Sequence, residues 1–437
     1  MPKKENLLRE KTPSRKLDKT LVVAAALLMV ALLSVPGVWA ADKYKTLYTF
    51  TGGKDGSLPS SGLIFDAAGH LYGTAALGGS SRNCQKGCGT VFQLTPGANG
   101  KWTGTILHTF NSTDGAAPSA GLAFDAAGNL YGTTVFGGRH NLGAVFELEP
   151  AANGKWSEKV LHSCASNSND GYYPYASLVI DAAGNLYGTT EAGGDHGFGT
   201  VFRLEPSANG KWTRTVLHAL HGGAPDGADP RASVIFDAAG NVYTTASHGS
   251  TYDGGNAFEL IPGPKGTWAD KVLHIFNNTA SPWGNLVFDA AGNLYGTTAG
   301  GGGTGCGGDG CGTVFELMPG ANGDWTETIL HSFKGEDGEF PVSGLVFDGA
   351  GNLYGTTYYG GTGGCDLFGT LGCGTVFELT PGANGSWTET IVHSFSGNGT
   401  DGTYPFAGLT FDSSGNLYGT ASEGGSSDAG TVFEITP

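Results

Sequence analysis

Hydrophobic positions recur along this chain in short alternating runs, not at helical spacing. One stretch reads L-I-F-D-A-A-G-H-L-Y-G-T-A over Leu63–Ala75. It is followed by G-T-V-F-Q-L at Gly89–Leu94 and W-T-G-T-I-L-H-T-F at Trp102–Phe110. Such runs, rich in Val, Leu, Phe, Tyr and Thr and bounded by Gly, Asn and Pro, predict β-strands. The A-A-G-N phrase between the first two runs predicts a tight turn, because Gly and Asn tolerate the left-handed backbone such turns need. A Gly-rich loop leads to the third run, which Pro stops, and an A-N-G turn leads to the Trp run. Helix caps followed by a 3.6-residue period are missing throughout.

The same phrases return along the chain. F-D-A-A-G-N-L-Y-G-T-T recurs with its Asp at Asp66, Asp125, Asp181, Asp237, Asp289, Asp348 and Asp412, 52 to 64 residues apart. G-T-V-F-E-L recurs at Phe92, Phe146, Phe202, Phe258, Phe315, Phe377 and Phe433, and the Trp run at Trp102, Trp156, Trp212, Trp268, Trp325 and Trp387. Tandem units of four strands predict propeller blades. The segment Tyr44–Phe50 matches the fourth strand, with Tyr48 at its His position, and Gly430–Pro437 reads as a third strand with no Trp run after it. An open array would leave two bare sheet edges. The expectation is therefore an all-β, seven-bladed β-propeller over residues 41–437. Each blade has four antiparallel strands, and the N-terminal strand 44–50 completes the last blade, 405–437.

The combination D-x-x-G-N-L-Y-G-T-T, G-G…G-T-V-F-x-L and W…L-H-x-F resembles the "choice-of-anchor" GloVer tandem-repeat family of exported bacterial proteins, over all of residues 41–437. More loosely, D-x-x-G-N-L-Y is similar to the inner hairpin of NHL-type propellers and of gluconolactonase-like enzymes. The family resemblance implies export and often a C-terminal surface anchor. The sequence departs from that pattern at Pro437, where no sorting tail follows. The resemblance implies no catalytic residues.

Composition narrows the class. Gly (77) and Pro (19) are abundant in the 437 residues and charged residues make up only 14%, which fits a Gly-punctuated β protein and excludes a coiled coil or helical solenoid. Residues 1–40 read as a signal peptide. Lys3, Lys4, Arg9, Lys11, Arg15, Lys16 and Lys19 precede the apolar run Leu21–Ser34, and Val38-Trp39-Ala40 offers a small-residue cleavage site. An uncleaved anchor is the rival reading, since Leu21–Ala40 is long enough to span a bilayer. Cleavage leaves 16 basic against 36 acidic residues, a net −20. So acidic a surface repels phosphate backbones, so nucleic acid is excluded as a partner. After cleavage no membrane association is expected; a monomer, secreted or in the cell envelope, is.

Six repeats carry D-G-x-x-P before the first strand, with Asp55, Asp114, Asp170, Asp226, Asp337 and Asp401; Asn277–Pro282 lacks the Asp. These lie on the face where the channel opens, and a carboxylate ring there is a candidate for binding a cation or sugar hydroxyls. The competing reading is a turn started by Asp-Gly and ended by Pro. The strand histidines His108, His162, His218, His274, His331 and His393 are expected on the same face as the Trp, each bonded to a Thr or backbone group. One per blade, they are too dispersed to share a metal, so no metal and no cofactor are expected. Glu147, Glu259, Glu316, Glu378 and Glu434 repeat at one position and read as structural.

Six cysteines form local pairs, Cys84–Cys88, Cys306–Cys311 and Cys365–Cys373, in loops between second and third strands. Export permits disulfides; Cys164 is left as a buried thiol. The three long loops predict a lopsided lip on one side of the channel mouth, with Tyr358, Tyr359 and Phe368 suited to stacking on a sugar or peptide. No nucleophile elbow, phosphate loop or H-E-x-x-H is present. The expected function is an exported, non-catalytic binding or scaffold module for a glycan or protein partner. The alternative is a carbohydrate-active or lactone-hydrolysing enzyme using the channel.

Overall fold

The computed structural model describes residues 43–437 apart from 153, 168, 169, 278, 304, 368 and 369. The signal peptide assigned to residues 1–40, and Phe368, lie outside the described residues. Seven four-stranded antiparallel sheets form the seven blades of a β-propeller. In the first blade the strands run Ile64–Phe65, Leu71–Ala75, Thr90–Pro96 and Trp102–Thr109, from the channel outward. In the seventh blade, Lys43–Thr49 pairs antiparallel with Thr431–Thr436 as the outermost strand, with Tyr44 opposite Ile435 and Tyr48 opposite Val432. Among the described residues, no helix is long and apolar enough to cross a membrane.

Each blade is stitched internally at its turns. The Asp of F-D-A-A-G-N takes up the backbone N–H groups of the turn, as Asp125 Oδ1 does from Ala127 and Asn129, both at 2.9 Å. Its other oxygen accepts from Asn129 Nδ2 and from the Tyr131 hydroxyl. Tyr131 also donates to Glu147 at 2.7 Å, and Tyr243, Tyr295 and Tyr354 donate in the same way to Glu259, Glu316 and Glu378. A bond between the second and third strands thus replaces water for each of these buried tyrosines. Glu147, Glu259, Glu316 and Glu378 are thereby held between the second and third strands of their blades.

Blades meet through aromatic rings and missing side chains. The Phe just after a fourth strand packs against the third-strand Phe of the next blade in five interfaces, edge-on in four and tilted at Phe276–Phe315, with centroids 4.9–5.3 Å apart. The Gly before each third strand has φ between +81° and +105°, and a Cβ there would lie 2.3–3.0 Å from the ring of the proline that opens the neighbouring blade, in D-G-x-x-P or, at Pro282, in the repeat that lacks the Asp. This holds seven times, from Gly89 against Pro118 to Gly430 against Pro59.

One expectation about facing fails. Trp102 packs against Tyr418 of the seventh blade, whereas His108 turns the other way, towards Glu158 of the second blade. The cause is a β-bulge: Val91 opposes His108 but Phe92 opposes Ile106, leaving Leu107 as the extra residue. A bulge flips the in–out alternation beyond it, and the same shift recurs in every blade, including Thr46/Tyr48 in the closing strand.

Two tests follow from the interfaces. Gly199→Ala puts a Cβ 2.5 Å from the Pro230 ring and from the Thr190 carbonyl, while Gly210→Ala meets nothing within 4 Å at a similarly left-handed φ. Urea unfolding should show a cost of about 1 kcal/mol at Gly210 and about 1–3 kcal/mol more at Gly199; equal costs would remove the interface argument. Deleting residues 43–50 should lower the melting temperature of the whole ring and promote aggregation, because it bares the Thr431–Thr436 edge. An unchanged melting temperature would show that the strand does not close the ring.

Candidate functional site

The channel is narrow. Its lining comes from one short segment of each blade, including Ser61, Ser119, Ser177, Ser233 and Ser343, and its volume is about 100 Å³. That is below the roughly 300 Å³ at which pockets begin to enclose small-molecule ligands. No Asp, Glu or His is among its lining residues.

The six D-G-x-x-P aspartates are not in the channel. Each turns back to the strand histidine that precedes it in sequence: His108–Asp114 at 3.2 Å, His162–Asp170 at 2.9 Å, His218–Asp226 at 3.2 Å, His331–Asp337 at 3.1 Å and His393–Asp401 at 3.2 Å. In the closing blade Tyr48 replaces the His and donates to Asp55 at 3.2 Å. Each carboxylate also accepts a backbone N–H of its own loop, from Thr51, Asn111, Ala165, His221, Lys334 or Ser396. Burial opposes ionisation of Asp226, yet the hydrogen bonds from His218 and His221 prevail and hold its carboxyl at about 2. The expected Thr or backbone partner of the histidines is therefore corrected to Asp. The one repeat without the Asp sends His274 to Glu327 of the next blade, at 3.3 Å.

The position facing each His from the next blade differs around the ring. Glu158 and Glu389 stand beside His108/Asp114 and His331/Asp337. Burial pushes each carboxyl up to about 7, although the neighbouring His lowers it. The buried Oε1 of each has no hydrogen-bond partner among the described residues. At the equivalent position Arg214 pairs with Asp170 at 2.7 Å and stacks on Phe202, filling space beside the small Cys164. Burial raises the Cys164 thiol to about 12, keeping it an inert packing group.

At the channel mouth, the residue before each proline has a left-handed φ, between 53° and 61°, in all seven repeats: Leu58, Ala117, Tyr173, Asp229, Ser281, Phe340 and Tyr404. None is Gly, so each carries the steric cost of that conformation. Two backbone hydrogen bonds pin each one. The N–H of Phe340 donates to Cys311 of the preceding blade and its carbonyl accepts from Tyr358, and the N–H of Tyr404 likewise donates to Cys373 while its carbonyl accepts from Ser422. The residue after the proline lines the mouth as Ser60, Ser119, Tyr175, Arg231, Trp283, Val342 or Phe406.

These two positions build an aromatic band. Arg231 lies over Trp283 at 4.3 Å and Tyr175 at 5.4 Å, and its charge is met by Glu191 at 2.6 Å. Trp283 touches Phe340 at 5.5 Å, Phe340 touches Tyr359, and Tyr358 touches Tyr359, Tyr404 and Phe406. Tyr358 and Tyr359 thus sit in the band, held by a backbone bridge between Glu339 and Tyr359. Tyr175, Arg231, Trp283, Phe340, Tyr404 and Phe406 were missed in the sequence. Their signal was variation at the two positions flanking an otherwise repeated proline. The three disulfides form as paired, and Cys88, Cys311 and Cys373 are buried at the blade interfaces.

The profile of the Gloeobacter/Verrucomicrobia repeat matches residues 38–154, 78–307 and 233–437. No curated protein matches the chain. Among solved structures, the extracellular domain of a protein assigned as a hybrid two component system from B. thetaiotaomicron superposes with a TM-score of 0.52 at 11% identity, over 90% of this chain and 39% of that one. The chain therefore spans well under half of that structure, and the likeness is one of fold. A gluconolactonase from Xanthomonas campestris has a TM-score of 0.40 at 15% identity, over 91% of this chain and 89% of that one.

The raised carboxyls generate a pH test. Between the ordinary carboxyl range near 4.5 and about 7, the folded state holds protons that the unfolded state has released, so stability falls as pH rises through this window. Glu158→Gln with Glu389→Gln mimics the protonated form. The double variant should melt above the parent at pH 8, with the gap closing by pH 5. A gap independent of pH would show that these carboxyls titrate normally.

Proposed function

The chain belongs to the Gloeobacter/Verrucomicrobia repeat family, and from that premise we propose that it is an exported, non-catalytic binding module that holds a neutral glycan across the aromatic side of its channel mouth. One observation carries the reading. A backbone repeated seven times in a strained, doubly hydrogen-bonded conformation presents a side chain that differs from blade to blade. A scaffold alone requires the backbone; the rings of Tyr175, Trp283, Phe340, Tyr359 and Phe406 gathered on one arc add broad apolar faces with polar edges, which suit the faces of sugar rings. Serine hydroxyls lie below them in the channel. The charge of Arg231 is compensated within the band by Glu191, and Glu339 and Glu423 act on Tyr359, so the surface disfavours an anionic ligand. Three disulfides fit an oxidising, extracytoplasmic compartment.

The enzyme alternative needs convergent acids or bases at the channel. The channel lining supplies serines, small residues, Asn285, Arg231 and apolar or aromatic side chains, and the aspartates of D-G-x-x-P are engaged with the strand histidines or Tyr48.

A glycan array probed with residues 41–437 tests the proposal, together with a triple variant Trp283→Ala, Tyr359→Ala, Phe406→Ala. These side chains are half-buried at the rim, so the melting temperature should move by only a few degrees. Binding to a neutral glycan should weaken at least ten-fold. Glycan binding that survives the triple variant would place the site elsewhere, and turnover of a glycan or lactone by the parent chain would favour the enzyme.

A further inference from the structure

Repeated residues build the ring, so a site of its own should draw on residues that are not repeated. One cluster outside the channel mouth does so. In the third blade, His218 Nε2 lies 3.2 Å from Asp226 Oδ2, and His221 Nδ1 lies 2.8 Å from the same oxygen. One ligand atom from each of the three lies within 4.8 Å of the others. His196, from the loop between the second and third strands, stacks over His221 with ring centroids 4.1 Å apart. Where this repeat has His221, the other six have Thr51, Asn111, Ala165, Asn277, Lys334 and Ser396.

We propose that His218, His221 and Asp226 form a binding site for a divalent transition-metal cation, zinc being the best match, with His196 alongside as a further imidazole. Two imidazoles and one carboxylate are a three-ligand set of the kind that holds zinc with an open position. Donors bound to zinc at about 2.0–2.1 Å in a tetrahedron stand about 3.3 Å apart; the two imidazole–carboxylate distances are 3.2 and 2.8 Å, and the two imidazole nitrogens lie within 4.8 Å of each other. The carboxylate is oriented by its neighbours, since Gly227 N–H donates to Asp226 Oδ1 at 2.9 Å and His221 N–H to Oδ2 at 2.8 Å. Outer hydrogen bonds of this kind fix ligand geometry. The His221 side chain is 58% exposed, which gives a cation access from solvent. On binding, zinc would take the place of the hydrogens between the imidazoles and the carboxylate, each neutral imidazole carrying its single proton on the other ring nitrogen.

The second blade is an internal control. It has His140 at the place of His196, together with His162 and Asp170, but Ala165 stands at the place of His221, and Asp170 is engaged by Arg214. The two His–Asp–Glu groups, His108/Asp114/Glu158 and His331/Asp337/Glu389, also bring three ligand atoms together, but with a single imidazole each. They are the weaker zinc sites.

The test uses residues 41–437 without a histidine tag. Calorimetric titration with zinc chloride should give one site per chain, and cobalt(II) should give the visible absorption of a tetrahedral site. His221→Ala, at an exposed position, should lower the melting temperature by only a few degrees, because Asp226 keeps its bonds from His218 and from two backbone N–H groups, while lowering zinc affinity at least ten-fold and abolishing the cobalt spectrum. Asp226→Asn should do the same if it folds; His221→Ala alone suffices if it does not. The proposal fails if zinc does not bind, if His221→Ala binds as the parent does, or if binding is lost instead in Glu158→Gln with Glu389→Gln.

Discussion

The approach of a glycine to the neighbouring blade's proline governs the rest of this fold. Seven times, a glycine before the third strand sits where a Cβ would fall 2.3–3.0 Å from a proline ring across the interface. A closed ring cannot absorb one wide interface, because the excess has to be shared by all the others. The interblade spacing must therefore be met at every step. Glycine supplies the gap and its left-handed φ together. The proline holds the start of the next blade, and the left-handed residue before it is locked by hydrogen bonds to both blades. Seven of the 77 glycines make this repeated contact.

The interfaces that break the pattern show how it is maintained. Between the second and third blades the usual Phe is Cys164, and the Arg214 side chain stacks on Phe202 and pairs with Asp170. Between the third and fourth blades it is Leu220, buried with Phe258. Where the Asp is missing after the fourth blade, Glu327 meets His274 from the other side. Each deviation keeps the volume filled and the buried polar atom partnered, as close packing and desolvation demand. Where the compensation is incomplete, as at Glu158 and Glu389, a buried oxygen is left without a partner and the carboxyl takes up its proton more readily.

Structure and recognition are divided by position along a single loop. In D-G-x-x-P-x, the Asp, Gly and Pro serve the interface, and the residues on either side of the Pro face the mouth. Variation is tolerated there because the backbone, not the side chain, holds the ring. An arc of aromatics can then accumulate on several blades while the others keep Leu58, Ala117 and Ser60. The histidine cluster of the third blade arises in the same way, from a repeated His–Asp pair joined by His221, which no other repeat has, and by His196, which only the second blade matches, with His140.

Local patterns in the chain determined the number of blades, the four strands in each, the turns between them and the cysteine pairs, because all of these depend on residues close in sequence. The partnership of His with Asp was also within reach: the two lie six or eight residues apart in five repeats, and the repeat without the Asp is the exception that marks the pair. The facing of Trp and His was not within reach, because a one-residue bulge at Leu107 reverses alternation and leaves no mark in the hydrophobic pattern. Nor was the aromatic band, whose members come from five blades and meet only once the ring closes. Only the tertiary structure brought Arg231 onto Trp283, because that contact depends on a left-handed backbone and on blade spacing, which follow from sterics across an interface, or His196 onto His221, because two loops of one blade meet only when its strands pair.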